Sequence, residues 1–142
     1  MSSETPLNQY QAGRLQVTLY LVEQALDEIS GYLRGQLPRG EMYITVSDLT
    51  AEQQDDMLKM IGEIKQRITG IKNQFGLDTR TNDLRKTIMG YLGSVWESLH
   101  NTRPRNLSGF GTVAPELFET LEPELLKIIG LVDSMSSTLT RS

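Results

Sequence analysis

MLKMIGEIKQRITGIKNQF, residues 57–75, decides the fold class. Its apolar side chains fall at Met57, Ile61, Ile64, Ile68, Ile71 and Phe75, a spacing of 4, 3, 4, 3, 4. A repeat near 3.5 residues places these side chains on one stripe of an α-helix. The remaining positions are mostly Glu, Lys, Gln and Arg, as expected of a solvated face.

The same rhythm recurs on both sides. Upstream it runs through Leu15, Leu19, Val22, Leu26, Ile29 and Leu33. Downstream it runs through Leu84, Ile88, Tyr91, Val95 and Leu99, then through Phe118, Leu121, Leu125, Ile128, Val132, Met135 and Leu139. Strict alternation, the mark of a half-buried strand, is confined to Met42–Val46 inside a connector.

Breakers and caps punctuate the pattern. Pro6 suits the first turn of helix 1, and Gly35 follows its last apolar residue. Thr50 with Gln53 forms a capping box for helix 2, whose first turns hold Glu52, Asp55 and Asp56 at the positive dipole end. Gly76 stops that helix, Asp78 or Thr79 starts helix 3, and Arg103–Pro104 ends it. Pro115 fits the start of helix 4, and Pro123 predicts a kink, or a split with a restart at Glu122.

The expected architecture is all-α: one domain, 1–142, forming an antiparallel four-helix bundle of up-down-up-down order, with a kinked or split fourth helix. The expected helices are 6–34, 50–75, 79–102 and 115–140. A tight turn at Gly76–Asp78 would make helices 2 and 3 an antiparallel hairpin.

Composition bounds the function. The 142 residues include no cysteine, which removes thiol nucleophiles, disulfides and cysteine metal sites, and fits a reducing, cytoplasmic setting. The net charge of −4 argues against nucleic acid as the main partner. Residues 1–6 lack the basic start and apolar run of a secretory signal, and no segment has the length of apolar sequence that spans a membrane, so no membrane association is expected.

Motifs that look chemical carry little. Glu97-Ser98-Leu99-His100 spells E-x-x-H, half of a di-iron carboxylate site, but His100 is the single histidine and a second copy cannot exist. With Tyr91 and Val95 facing the core, Glu97 and His100 should point outward. His100 as a phosphoacceptor is disfavoured because the helix ends at Pro104; a cation at a helix C-terminus is the simpler role. Asp55–Asp56 and Glu122/Glu124 suit helix first turns, and no serine stands at motif spacing from a histidine and an acid. No cofactor, metal site or catalytic set is expected, so the enzyme question stays open and leans to no.

Two regions stand out. Helix 3 bears a second apolar stripe, Met89, Leu92, Trp96 and Leu99, and helix 1 carries Val17, Tyr20 and Leu21 off its main stripe. Excess apolar width implies either the crowded side of a bundle or contact with another chain. Val17, Tyr20, Leu21, Met89, Leu92 and Trp96 are therefore the candidate interface, for a homo-oligomer or a protein partner. Gly62, Gly70, Gly90, Gly93 and Gly130 lie off the stripes and would permit close approach of another helix.

The second region is the loop before helix 4. Arg103, Arg105, Asn106, Gly109, Phe110 and Gly111 are candidate small-anion or nucleotide-phosphate ligands, because arginine forks and free helix-start N–H groups favour anions. The competing reading is a solvated loop with Phe110 plugging the bundle end and arginines paired to Glu41 or Asp48. The leading functional expectation is a non-enzymatic interaction protein, with anion binding as the alternative.

Overall fold

A computed structural model describes residues 6–141. The reading made on residues 1–5 lies outside them. The chain is all-α with four long helices: α1 Gln9–Leu33, α2 Ala51–Phe75, α3 Leu84–Asn101 and α4 Leu117–Thr140. It divides into two compact units, Met1–Arg80 and Thr81–Ser142, each built on one helix pair. No helix among the described residues is long and apolar enough to cross a membrane.

In the first unit α1 packs on α2. Asp27 pairs with Lys65, while the Asp78 N–H donates to Gln16 Oε1 at 2.9 Å. Partner numbers fall along one helix as they rise along the other, so the pair is antiparallel. Thr50 caps α2 as expected: its hydroxyl accepts from the Gln53 N–H at 3.1 Å, and Gln53 Oε1 accepts from the Thr50 N–H at 2.9 Å. Gly76 closes the helix in the left-handed region at φ 63°, open to a glycine without steric cost. Gly35, at φ 92°, plays the same part after α1.

Helix α1 starts three residues later than Pro6 suggests. A second capping box takes over, with Asn8 Oδ1 accepting from the Gln11 N–H at 2.8 Å and Gln11 Oε1 accepting from the Asn8 N–H at 2.9 Å. The connector that looked β-prone makes one isolated antiparallel bridge, Arg39 with Ile44, and no named strand. A single bridge has no third chain to extend it.

The turn after α2 is a longer link than expected. Asp78 and Thr79 do not start α3, because the Asp78 N–H is held by Gln16 and the Thr79 hydroxyl receives Lys72 Nζ. Leu77 is buried there and pins the chain to its own unit. α3 begins at Leu84, after Asp83 at the N-cap.

In the second unit α3 packs on α4. α3 ends at Asn101, and Pro104 follows fully buried in a short 3-10 turn, Pro104–Asn106, that packs on α4. Another such turn, Ser108–Phe110, completes the loop. α4 starts at Leu117, two residues after Pro115, and runs unbroken through Pro123 to Thr140. The expected split does not occur: Pro123 removes only its own N–H, and the bonds of its neighbours carry the helix past it. Since Arg103, just beyond α3, meets Glu122 in the early turns of α4, the two helices run antiparallel.

Neither unit has a large core. Among the described residues Ile61 and Leu77 are the buried apolar residues of the first, and Leu92, Pro104, Ile129 and Val132 those of the second. At about 1.5–3 kcal/mol for each fully buried aliphatic side chain, such small sets give little surplus over the entropy of ordering a helix pair.

Candidate functional site

The candidate interface divides on inspection. Leu92 is 7% exposed and belongs to the core of the second unit, so it is not open to a partner. Met89 is half-buried beside it. Trp96 is 43% exposed, with its ring centroid 3.9 Å from that of His100. His100 is therefore half-buried against the indole rather than outward, while Glu97 is exposed. Val17 and Leu21 are exposed on α1, and Tyr20 is half-buried with the Arg80 guanidinium 4.8 Å from its ring centre.

The apolar line taken as the core of α3 is largely its outer surface. Tyr91 is 69% exposed, and Leu84 and Val95 are exposed with it. α4 shows the same exchange: Ile129 is buried in place of Ile128, while Ile128, Leu131 and Met135 are exposed. Both helices are apolar on two sides, so periodicity alone offers two equal choices, and α3–α4 packing selects between them.

The two exposed lines share a side of the helix pair. Each is rotated from its own core line by about a quarter turn, in the same sense, at roughly 100° per residue. In antiparallel partners, equal rotations of that kind bring both lines to one side. Leu84, Tyr91 and Val95 thus stand next to Ile128, Leu131 and Met135 as one apolar face. Thr87, Ser94 and Ser98 fill the rest of the α3 portion, which carries no charged residue. On the α4 portion Glu124 and Lys127 pair with each other at 3.5 Å.

The loop before α4 is more self-contained than an anion site requires. Arg103 Nε donates to Glu122 Oε1 at 2.7 Å, and Arg103 Nη2 donates to the same oxygen. The pair is mostly buried, which commits the Arg103 charge to the fold. The partner is Glu122, not Glu41 or Asp48. The Asn106 side-chain amide donates to the His100 carbonyl at 2.7 Å. Gly109 and Arg105 are exposed, and Gly111 takes φ 142°, a backbone setting that favours glycine. Phe110 is 89% exposed and plugs nothing within the described residues. Of the two arginines, Arg105 alone retains a solvent-facing charge.

One cleft escaped sequence reasoning. A space of about 140 Å³ opens between α1 and the end of α2, lined by Leu19, Tyr20, Ile68 and Leu77 and edged by Gln16, Glu23, Lys72, Asp78, Thr79 and Arg80. Its polar groups largely engage one another: Lys72 with Thr79, Gln16 with the Asp78 backbone, Arg80 with the Tyr20 ring. Two cations and two carboxylates on its rim leave no net charge to select a ligand. No sequence signal marked it, because its residues come from two distant segments, 16–23 and 68–80. Among the described residues no group of three or more histidines and acids is placed to hold a metal ion.

Comparison with protein-family models, with curated proteins and with solved structures finds no match.

Proposed function

We propose that this protein is a non-enzymatic helical interaction protein that acts through self-association. The observation that carries the reading is the exposed apolar face of the second unit, where Leu84, Tyr91, Val95, Ile128, Leu131 and Met135 are all exposed. A helix pair that leaves an apolar face in water gains stability by covering it, and contiguous exposed apolar surface of this kind marks a contact site. The absence of cysteine fits action in a reducing compartment such as the cytoplasm.

The anion alternative draws less support, since Arg103 is neutralised by Glu122 and the loop contributes a single free guanidinium. The test of the leading reading is solution mass by light-scattering chromatography over a hundredfold concentration range. A dimer or larger species is expected at the upper end. A monomer throughout overturns the reading.

A further inference from the structure

We infer that the cleft between α1 and the end of α2 is a binding site for a small zwitterion with an apolar side chain, a free α-amino acid of about the size of leucine.

Two helix faces and a turn build the cleft. Gln16, Leu19, Tyr20 and Glu23 stand at helical spacing and share one face of α1, as Ile68 and Lys72 share one face of α2. Gly76 then turns the chain in the left-handed region, and the buried Leu77 anchors the segment that brings Asp78, Thr79 and Arg80 to the same opening. The Leu77 N–H donates to the Lys72 carbonyl at 2.9 Å, and the Asp78 N–H donates to Gln16 Oε1 at 2.9 Å. The turn is therefore tied to both helices before any ligand arrives, and a site held in shape beforehand loses little affinity to ordering.

What selects the ligand is how the charges at this opening are held. Lys72 Nζ donates to the Thr79 hydroxyl, and the Arg80 guanidinium lies over the Tyr20 ring. Both partners are neutral, so they position the cations and leave the charges uncompensated. Glu23 and Asp78 border the same opening. Among the described residues neither carboxylate takes part in an ion pair or a side-chain hydrogen bond. Two cations and two carboxylates thus surround one cleft without closing on each other. A lone anion or a lone cation meets attraction and repulsion together at such a rim. A molecule that carries an ammonium and a carboxylate on one carbon has a partner for each, and both contacts are charge-assisted.

The floor and the volume narrow the class. Leu19, Ile68 and Leu77 offer an apolar surface to an aliphatic side chain. The space of about 140 Å³ lies well below the roughly 300 Å³ at which drug-sized pockets begin, which leaves out nucleotides and suits a molecule of about ten non-hydrogen atoms. A peptide terminus carries only one of the two charges.

The test titrates L-leucine into the isotope-labelled full chain and follows the backbone amide shifts. Saturable shifts centred on residues 16–23 and 68–80 are expected below about 10 mM. Isocaproate, which lacks the ammonium, and leucinol, which lacks the carboxylate, should each bind at least tenfold more weakly. Glu23→Gln combined with Asp78→Asn should weaken L-leucine at least tenfold and leave isocaproate unchanged. Arg80→Gln should weaken L-leucine and isocaproate together and leave leucinol unchanged. All three side chains are exposed, and a loss confined to one charge of the ligand is not what unfolding produces. No shift at about 10 mM L-leucine overturns the assignment. So does equal binding of isocaproate or leucinol, which would mean that the cleft does not read both charges. Neither failure touches the self-association reading, which rests on the second unit.

Discussion

Arg103 and Glu122 form a mostly buried ion pair that ties the end of α3 to the early turns of α4, their side chains 18% and 13% exposed. Two guanidinium nitrogens converge on Glu122 Oε1, while Oε2 is buried with no hydrogen-bond partner among the described residues. Arg103→Met strands that carboxylate and should lower the unfolding free energy by about 3–5 kcal/mol. The double variant Arg103→Met, Glu122→Leu removes both charges and should recover most of the loss. Urea denaturation of the three proteins checks this, and a double variant no better than Arg103→Met contradicts it.

The exchange of stripes on α3 has a direct mutational signature. Leu92→Ala should cost about 2–5 kcal/mol, the range for truncating a buried leucine. Tyr91→Ala, one residue away, should change the stability of the dissociated chain by less than about 0.5 kcal/mol. The measurement is denaturation at the lowest concentration that gives signal, where association contributes least. A reversed order of the two effects would place Tyr91 in the core.

Glycines on α2 should respond with opposite signs. A Cβ at Gly70 meets nothing within 4 Å, so Gly70→Ala should stabilise by about 1 kcal/mol through helix propensity. Gly76 also has open space, but its φ of 63° disfavours any residue with a Cβ. Gly76→Ala should destabilise by roughly 1 kcal/mol. Paired thermal melts decide the matter.

The two capping boxes stand at opposite ends of the α1–α2 hairpin. Asn8→Ala and Thr50→Ala should each cost about 1 kcal/mol. Being far apart with no shared partner, they should add within about 0.5 kcal/mol in the double variant. Strong non-additivity in a denaturation series would show that the two ends are coupled.

Helix existence was legible because it depends on local order. The spacing of Met57 through Phe75, the Thr50–Gln53 box and the Gly76 stop are contained within windows of a few residues, and α2 forms where they indicate. The start of α3 was not legible. Asp78 and Thr79 have the chemistry of helix starters, but their groups are taken by Gln16 and Lys72, and nothing near them in sequence announces either contact.

The candidate site divides the same way. That α3 is apolar on two sides, and that one side must be covered by something else, is written in residues 84–99. Which side is which is not, since Leu84–Tyr91–Val95 and Met89–Leu92–Trp96 have the same period. Likewise Arg103 was marked as a free anion ligand because its partner Glu122 lies nineteen positions away on another helix.

The sequence by itself determined the helices, their caps and the excess of apolar surface, because hydrogen bonding and side-chain periodicity act within a few residues of each other. Tertiary structure alone decided that Leu92 is core and Tyr91 surface, that Arg103 belongs to Glu122, and that the exposed lines of α3 and α4 merge into one face. Those outcomes rest on how one helix is rotated against another, and that rotation is set by packing between residues far apart in the chain.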